Sequence, residues 1–358
     1  MAKTRIAVIF GGRSGEHEVS LMSAESVMAA LDPERYEVIP VGITRLGQWV
    51  LVSDALALAR AGRLPEYLSN GAPVGGSVEL IPDPTTRQGI DVAFPVLHGT
   101  FGEDGTVQGL LELAGIPYVG AGVGSSAVSM DKAFMRVLFA HAGLPMAAWM
   151  AVERWRWEIY PESVIQEIEG ALAYPCFVKP ANLGSSVGVS KARNRDELAA
   201  ALTSAADYDR KLVIEEAVDR PREIECSVLG NHELRASVPG EIIPDGEFYD
   251  YAAKYETGRS QLLIPAPLDE EQRIAVQDYA LRAFRAVDCA GMARVDFFLD
   301  SDERLLINEI NTIPGFTAIS MYPKLWEASG LPFADLVDTL VQLALERHAD
   351  RGRSRTEL

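Results

Sequence analysis

Hydrophobic residues come in short unbroken runs near the start of the chain and in alternation near its end, and the two patterns predict different surroundings. Residues 5–10, RIAVIF, and 91–99, DVAFPVLHG, are apolar almost throughout, as befits strands covered on both faces. Between them VSLMSAESVMAAL carries Val19, Met22, Val27 and Leu31 on one side of a predicted helix, and YEVIPVGI reads as a second strand. TVQGLLELAG then predicts a helix and IPYVG a short strand. This order implies an open, mostly parallel α/β unit whose ligands gather where strands end. The stretch from Gly47 to Arg87, rich in Ala, Gly and Pro, carries no such pattern and reads as an insertion or surface elaboration.

Composition changes at GAGVGSSAVSMDK, which sets a first boundary near Ser129. A helix and strands at YPCFVKP, VGVSKA, LVIEEAV and EIECSVLG follow, predicting an α+β unit with a mixed or antiparallel sheet over 130–231. A third section, 232–358, ends in the helix FADLVDTLVQLALERH with Leu336, Leu340 and Leu343 inward. The predicted class is therefore α/β and α+β: an N-terminal parallel open-sheet domain (1–129), a small central α+β domain (130–231) and a larger C-terminal α+β domain (232–358).

Within the third section, GMARVDFFLDSDERLLINEIN predicts two strands and a tight turn. Ala293, Val295, Phe297 and Leu299, then Leu306, Asn308 and Ile310, occupy one face, leaving Arg294, Asp296, Glu309 and Asn311 on the other. A two-residue loop (Asp302, Glu303) and a four-residue loop (Ser301 to Arg304) both set Asp296 opposite Glu309 and Arg294 opposite Asn311. Like charges directly opposed across strands destabilise a sheet. A divalent cation would neutralise them; solvation on the outer face of an edge hairpin would also make them tolerable, and these residues alone leave both readings open.

Composition narrows the field. With 358 residues, 48% hydrophobic and 23% charged, the chain is an ordinary globular one with room for two or three domains. No run approaches a membrane span, and MAKTRIAVIFGG enters strand and turn without a signal-peptide cleavage region, so the expectation is a cytoplasmic protein with no membrane partner. Cys176, Cys226 and Cys289 are widely spaced among apolar residues and suggest buried, reduced thiols. A net charge of −18 argues against non-specific nucleic-acid binding, so basic contacts to an anionic substrate must be few and local.

Two nucleotide motifs fail. A dinucleotide fingerprint in the first turn needs glycine at Phe10, and the second strand ends in VGIT without a ribose-binding acid. The sequence holds no Gly-Lys pair for a Walker A loop. A different phosphate cradle is available in CFVKPANLGSSVGVSKA, where Lys179 precedes a loop of Gly184, Ser185 and Ser186; a plain polar hairpin tip fits the same residues. Glu215 and Glu216 end the strand LVIEEAV, where one carboxylate could accept from adenine or ribose.

Taken in order, Lys132 in MDK, Lys179 in VKPANLGSSVG, Glu215 in VIEE, Glu223 in REIECSVLG and the Asp296, Glu309, Asn311 hairpin resemble ATP-grasp ligases. The segments GGRSGEHEVS, LHGTFGEDGTVQGLLELAGIPYVG, FYDYAAKY and NTIPGFTAIS are similar to the D-alanine:D-alanine ligases, and the resemblance spans nearly the whole chain outside 47–87. It implies an ATP-grasp fold and the joining of two D-alanines through a D-alanyl phosphate, for peptidoglycan precursor synthesis. It further implies that Lys132, Lys179, Ser185 and Ser186 bind ATP phosphates, Glu215 and Glu223 the adenosine, and Lys254 the transferred phosphate. Two Mg²⁺ ions, replaceable by Mn²⁺, would sit on Asp296, Glu309 and Asn311. Arg294 and the Gly315 N–H would stabilise the oxyanion, and Ser320 with the Met321 backbone would clamp the second carboxylate. Glu16 would bind the first ammonium, with Ser185 and Tyr255 as partners; at a helix start it could equally be a plain cap. His98 is either a supporting substrate-site residue or a satisfied structural histidine. Tyr255, which differs in relatives that make D-alanyl-D-lactate or D-alanyl-D-serine, favours D-alanine as the second substrate. The loop from Glu247 to Gln261 would close the site, Tyr249 and Tyr251 packing it, and a homodimer is implied.

Overall fold

A computed structural model describes residues 2–51, 54–62, 89–244, 260–317 and 319–355. Three sheets organise them. The first has the order β3-β2-β1-β4, from β1 (Thr4–Gly11), β2 (Tyr36–Ile43), β3 (Trp49–Leu51) and β4 (Val92–Pro95). β1 runs parallel to both β2 and β4, with β3 an antiparallel edge, so the mostly parallel sheet expected from RIAVIF and DVAFPVLHG is present. Helix α1 (His17–Ala30) follows β1; α2 (Ala55–Arg60) follows β3, and α3 (Thr106–Leu113) follows β4. Val19, Val27 and Leu31 are buried as predicted, but the rest of the inward face of α1 differs. Met22 is 40% exposed, while Ser20 and Ser23 are buried beside Leu21, Ala24 and Val27. Those serines are tolerated inside because each bonds a neighbouring loop: Ser20 Oγ donates to Val96 O, and Ser23 Oγ meets His98 Nε2 at 2.9 Å.

Helices α4 (Val123–Met130) and α5 (Lys132–His141) lead to a four-stranded antiparallel sheet, β5-β8-β6-β7. Its strands are β5 (Trp149–Glu153), β6 (Cys176–Pro180), β7 (Ser190–Ala192) and β8 (Lys211–Glu216). Helices α6 (Arg154–Ile159), α7 (Pro161–Ala171) and α8 (Arg195–Ala206) accompany it, α7 and α8 contributing Val164, Ile168, Leu198 and Leu202 to its core.

The strand EIECSVLG, expected in this central unit, lies elsewhere. As β9 (Arg222–Gly230) it forms the middle of the third sheet, between β11 (Gly240–Pro244) and β13 (Gly291–Leu299). β10 (Arg235–Ala236), β12 (Ser260–Leu263) and β14 (Leu305–Asn311) complete that sheet. Cys226 and Val228 on β9 share an apolar core with Ala293, Val295 and Phe297 of β13 and with α9 (Glu270–Ala286), which explains the placement. Helices α10 (Met321–Ala328) and α11 (Phe333–Arg351) close the chain. Leu336, Val337, Leu340 and Val341 of α11 are buried against Ile6, Val8 and Phe10 of β1, with Leu343 half-buried, so the last helix covers the first sheet. Among the described residues no single helix is long and apolar enough to cross a membrane.

Candidate active site

The acidic hairpin forms as predicted at the residues that matter, by an unpredicted route. Asp296 pairs with Glu309 and Arg294 with Asn311, but nearer the turn Phe297 pairs with Ile307 and Leu299 with Leu305. The turn is therefore a three-residue loop closed by Asp300 and Arg304, with Glu303 at φ 62°, and Asp300 Oδ1 accepts from the N–H groups of Asp302 and Arg304. A bulge at Asn308 cancels the odd residue in the turn and restores the register beyond it. Ile307, not Leu306 or Asn308, consequently takes the inward position, and it is buried.

Glu309 faces an open cleft between the three sheets, about 920 Å³ when the solvent at its mouth is included. Glu16, His98, Lys132, Ser185, Arg294, Glu309, Asn311, Gly315, Ser320 and Met321, all singled out from the sequence, line it. Asp296 stands behind: Arg294 Nε and Nη2 each approach one of its carboxylate oxygens at 2.7 Å, and Asn311 Nδ2 donates to Oδ2 at 3.0 Å. Lys132 Nζ donates to Leu183 O at 2.8 Å and lies 3.6 Å from Glu309. Lys132 opens α5 directly after Asp131, whose side chain caps that helix and pairs with Lys211 Nζ at 2.6 Å.

Glu16 precedes α1 yet makes no side-chain cap. Its carboxylate instead accepts from Ser185 Oγ, which joins the first strand's turn to the loop between β6 and β7. Ser185 and Ser186 both hold positive φ, 50° and 58°, so this loop presents its residues in a strained conformation. Gly99 packs under Glu16; a β-carbon there would meet Glu16 Oε2 at 2.6 Å.

His98 is buried, with Nδ1 bonded to Ile313 O at 3.0 Å and Nε2 to Ser23 Oγ. A carbonyl only accepts, so Nδ1 carries the proton and Nε2 accepts from the serine. Burial pushes its pKa down, consistent with a neutral ring whose nitrogens are both committed. Both ring nitrogens are thus satisfied, tying Ile313 to the end of β4, while the side chain also lines the cleft.

A second polar cluster adjoins the cleft. Glu215 ion-pairs with both Lys179 and Arg136, all three largely buried. Burial pushes the Glu215 carboxyl up, but Arg136, then Lys179 and Lys132, outweigh it and hold the pKa below the usual range. Ser186 and Glu223 lie outside the cleft lining, Glu223 opposite Phe298 on β13. Lys254 and Tyr255, with Tyr249 and Tyr251, fall outside the described residues.

Three side chains escaped the sequence reading. Glu103, whose carboxylate accepts from Gly99 N at 2.9 Å, is pushed well above the usual range by burial and by Glu16. Arg136 sits four residues after Lys132, so helical spacing could have found it. Glu225 lines the cleft two residues beyond Glu223, on the same strand face. The three cysteines are buried and free; burial pushes Cys176 up to about 11 and Cys226 and Cys289 up to about 12.

The sequence profile described as D-ala D-ala ligase C-terminus matches residues 138–342, and that described as D-ala D-ala ligase N-terminus matches residues 5–121. The chain belongs to the D-alanine–D-alanine ligase family. The family's D-alanine--D-alanine ligase from Heliobacterium modesticaldum is 54% identical over 370 residues, covering 100% of this chain and 99% of its own length. That of Natranaerobius thermophilus is 49% identical, covering 100% and 99%. Among solved structures, the D-alanine-D-alanine ligase from Coxiella burnetii superposes with a TM-score of 0.85 at 38% identity, covering 99% of this chain and 97% of its own. The VanG D-Ala:D-Ser ligase from Enterococcus faecalis gives 0.85 at 36% identity, covering 96% and 100%. The α/β ATP-grasp architecture expected from the sequence is thus the family's.

Proposed function

We propose that this chain joins two D-alanines to D-alanyl-D-alanine at the expense of ATP, through a D-alanyl phosphate, for peptidoglycan precursor synthesis in the cytoplasm. The observation that carries the proposal is the convergence, in one cleft, of a carboxylate for an ammonium (Glu16), a guanidinium for an oxyanion (Arg294), a lysine for phosphates (Lys132) and a helix N-terminus for a carboxylate (Ser320, Met321).

The residues at the acidic pair fit a magnesium site. Asp296, Glu309 and Asn311 offer oxygen donors, the type that hard cations select. The bond from Asn311 Nδ2 to Asp296 commits the amide nitrogen and leaves the amide oxygen as the ligating atom. Among the described residues no group of three or more His, Cys, Asp or Glu could hold a metal by itself. These three residues would hold Mg²⁺, two ions in our reading, and the metal supplies neutralisation of phosphate charge.

Glu16 would fix the ammonium of the first D-alanine, braced by Ser185. Lys132, Lys179 and the Ser185–Ser186 turn would hold the phosphates, with Glu215 and Glu223 toward the adenosine. A carboxylate oxygen of the first D-alanine attacks the γ-phosphorus, and ADP departs. Ser320 Oγ and the Met321 N–H would clamp the second D-alanine, whose amine attacks the acyl carbon, loses a proton and expels phosphate. Arg294 and the Gly315 N–H would stabilise the oxyanion of that step. Holding amine and acyl phosphate together is worth about 7–11 kcal/mol of barrier, so positioning carries the catalysis. Closure by the loop containing Lys254 and Tyr255 would exclude water from the acyl phosphate, and a homodimer completes the proposal.

D-Alanine is assigned as second substrate because relatives at 48–54% identity over nearly the whole chain are named D-alanine--D-alanine ligases. ADP release tests both levels. Turnover with Mg²⁺ and D-alanine is expected; its absence refutes the ligase reading, and faster turnover when D-serine or D-lactate is added refutes the assignment.

A further inference from the structure

Arg294 is held from two sides. On its own strand, Asp296 takes Nε and Nη2 at 2.7 Å each; from β9 next door, Glu225 brings Oε2 within 3.0 Å of Nε. The register sets Glu225 opposite Asp296, and Asp296 opposite Glu309, so three carboxylates form one row across β9, β13 and β14. Only the last two are proposed to hold the metal. Glu225 is 4% exposed, a depth at which a carboxylate is tolerated through a close cation. Asp296, meanwhile, has both oxygens engaged by Arg294. A metal ion sharing those oxygens through their remaining lone pairs would repel the guanidinium and weaken that pairing, and Arg294 then needs a second anchor.

We propose that Glu225 is a positioning residue for Arg294: it retains the guanidinium in the cleft when Asp296 turns an oxygen to the metal. The proposal rests on the reading of Asp296, Glu309 and Asn311 as metal holders. Although Glu225 lines the cleft, its proposed role runs through Arg294: it lowers the competition between the guanidinium and the ion for the Asp296 carboxylate. Without its charge, Arg294 leans harder on Asp296 and the ion binds less tightly.

The test is Mn²⁺ binding, followed by electron paramagnetic resonance at saturating non-hydrolysable ATP analogue. For Glu225→Gln, the Mn²⁺ concentration at half-saturation is expected to rise about tenfold, as removal of an outer-shell partner does elsewhere. Glu225→Asp, which keeps the charge but withdraws it by one methylene, should raise it about threefold. Glu241→Gln removes a buried carboxylate paired with Arg222 in the same sheet, and should leave Mn²⁺ binding within about twofold of the parent, separating positioning from lost stability. Parent-like binding by Glu225→Gln overturns the proposal; should that variant fail to fold, parent-like binding by Glu225→Asp does so. A parent protein that binds no Mn²⁺ with the nucleotide removes the metal-site reading and this inference together, whereas binding that the variants leave unchanged removes this inference alone.

Discussion

Replacing Glu215 with Gln removes one negative charge from between two buried cations. The side chains of Arg136, Glu215 and Lys179 are 2%, 5% and 14% exposed, so water cannot compensate the loss. Breaking a buried pair by deleting one partner costs about 3–5 kcal/mol, because the cation left behind stays desolvated. Against a total stability of about 5–15 kcal/mol, that is a large fraction, and chemical denaturation by urea should show it directly. The double variant Arg136→Met/Glu215→Gln should regain about half of the loss, since the more deeply buried cation has gone. The pH dependence gives an independent reading. A carboxyl held lower in the folded than in the unfolded chain contributes stability above its unfolded pKa and loses it as pH falls through the folded value. The gap between parent and Glu215→Gln should therefore be full at neutral pH and shrink in acid. A loss below about 1 kcal/mol at pH 7, or a double variant no more stable than the single, would refute the ion-pair reasoning.

Other outcomes follow from the same geometry. Glu309→Gln should cut turnover by at least about a hundredfold, and steady-state rates within about tenfold of the parent would contradict its role. Gly99→Ala places a β-carbon 2.6 Å from Glu16 Oε2 and should raise the KM for D-alanine about tenfold, in kinetics with D-alanine varied at saturating ATP. Ser185→Ala removes the hydroxyl that braces Glu16 and should lower kcat/KM for D-alanine by about one to two orders of magnitude. For Glu103 the pH sign is reversed: its carboxyl is raised in the fold, so it costs stability above its unfolded pKa. Glu103→Gln should then be more stable than the parent at pH 8 by thermal melting, the difference vanishing below pH 4.

The site was legible where its residues are set by strand alternation and local motifs. Asp296 and Glu309 pair as the alternation predicts because the three-residue turn and the bulge at Asn308 offset each other; alternation reveals neither irregularity, and so points Leu306 and Asn308 inward. Glu225 is hidden in the sequence because the pattern of EIECSVLG fits the central sheet as well as the C-terminal one. Only its pairing with β13 brings Glu225 opposite Asp296, and apolar patterning does not choose between sheets. Ser20 and Ser23 misled in another way, since hydroxyls that bond across to Val96 O and His98 look like surface residues in a one-dimensional pattern. The parallel first sheet is legible in the continuous apolar runs of RIAVIF and DVAFPVLHG, as strands covered on both faces require.

In the proposed mechanism the acidic pair of the hairpin serves a nucleotide-bound metal ion. Anomalous diffraction at the manganese edge, from crystals grown with Mn²⁺ and a non-hydrolysable ATP analogue, tests this most directly. The expected peak lies between Asp296 and Glu309, within ligating distance of Asn311 and of the terminal phosphates. A peak elsewhere in the cleft, with Asp296 still clasped by Arg294 and no ion on Glu309, would contradict the account.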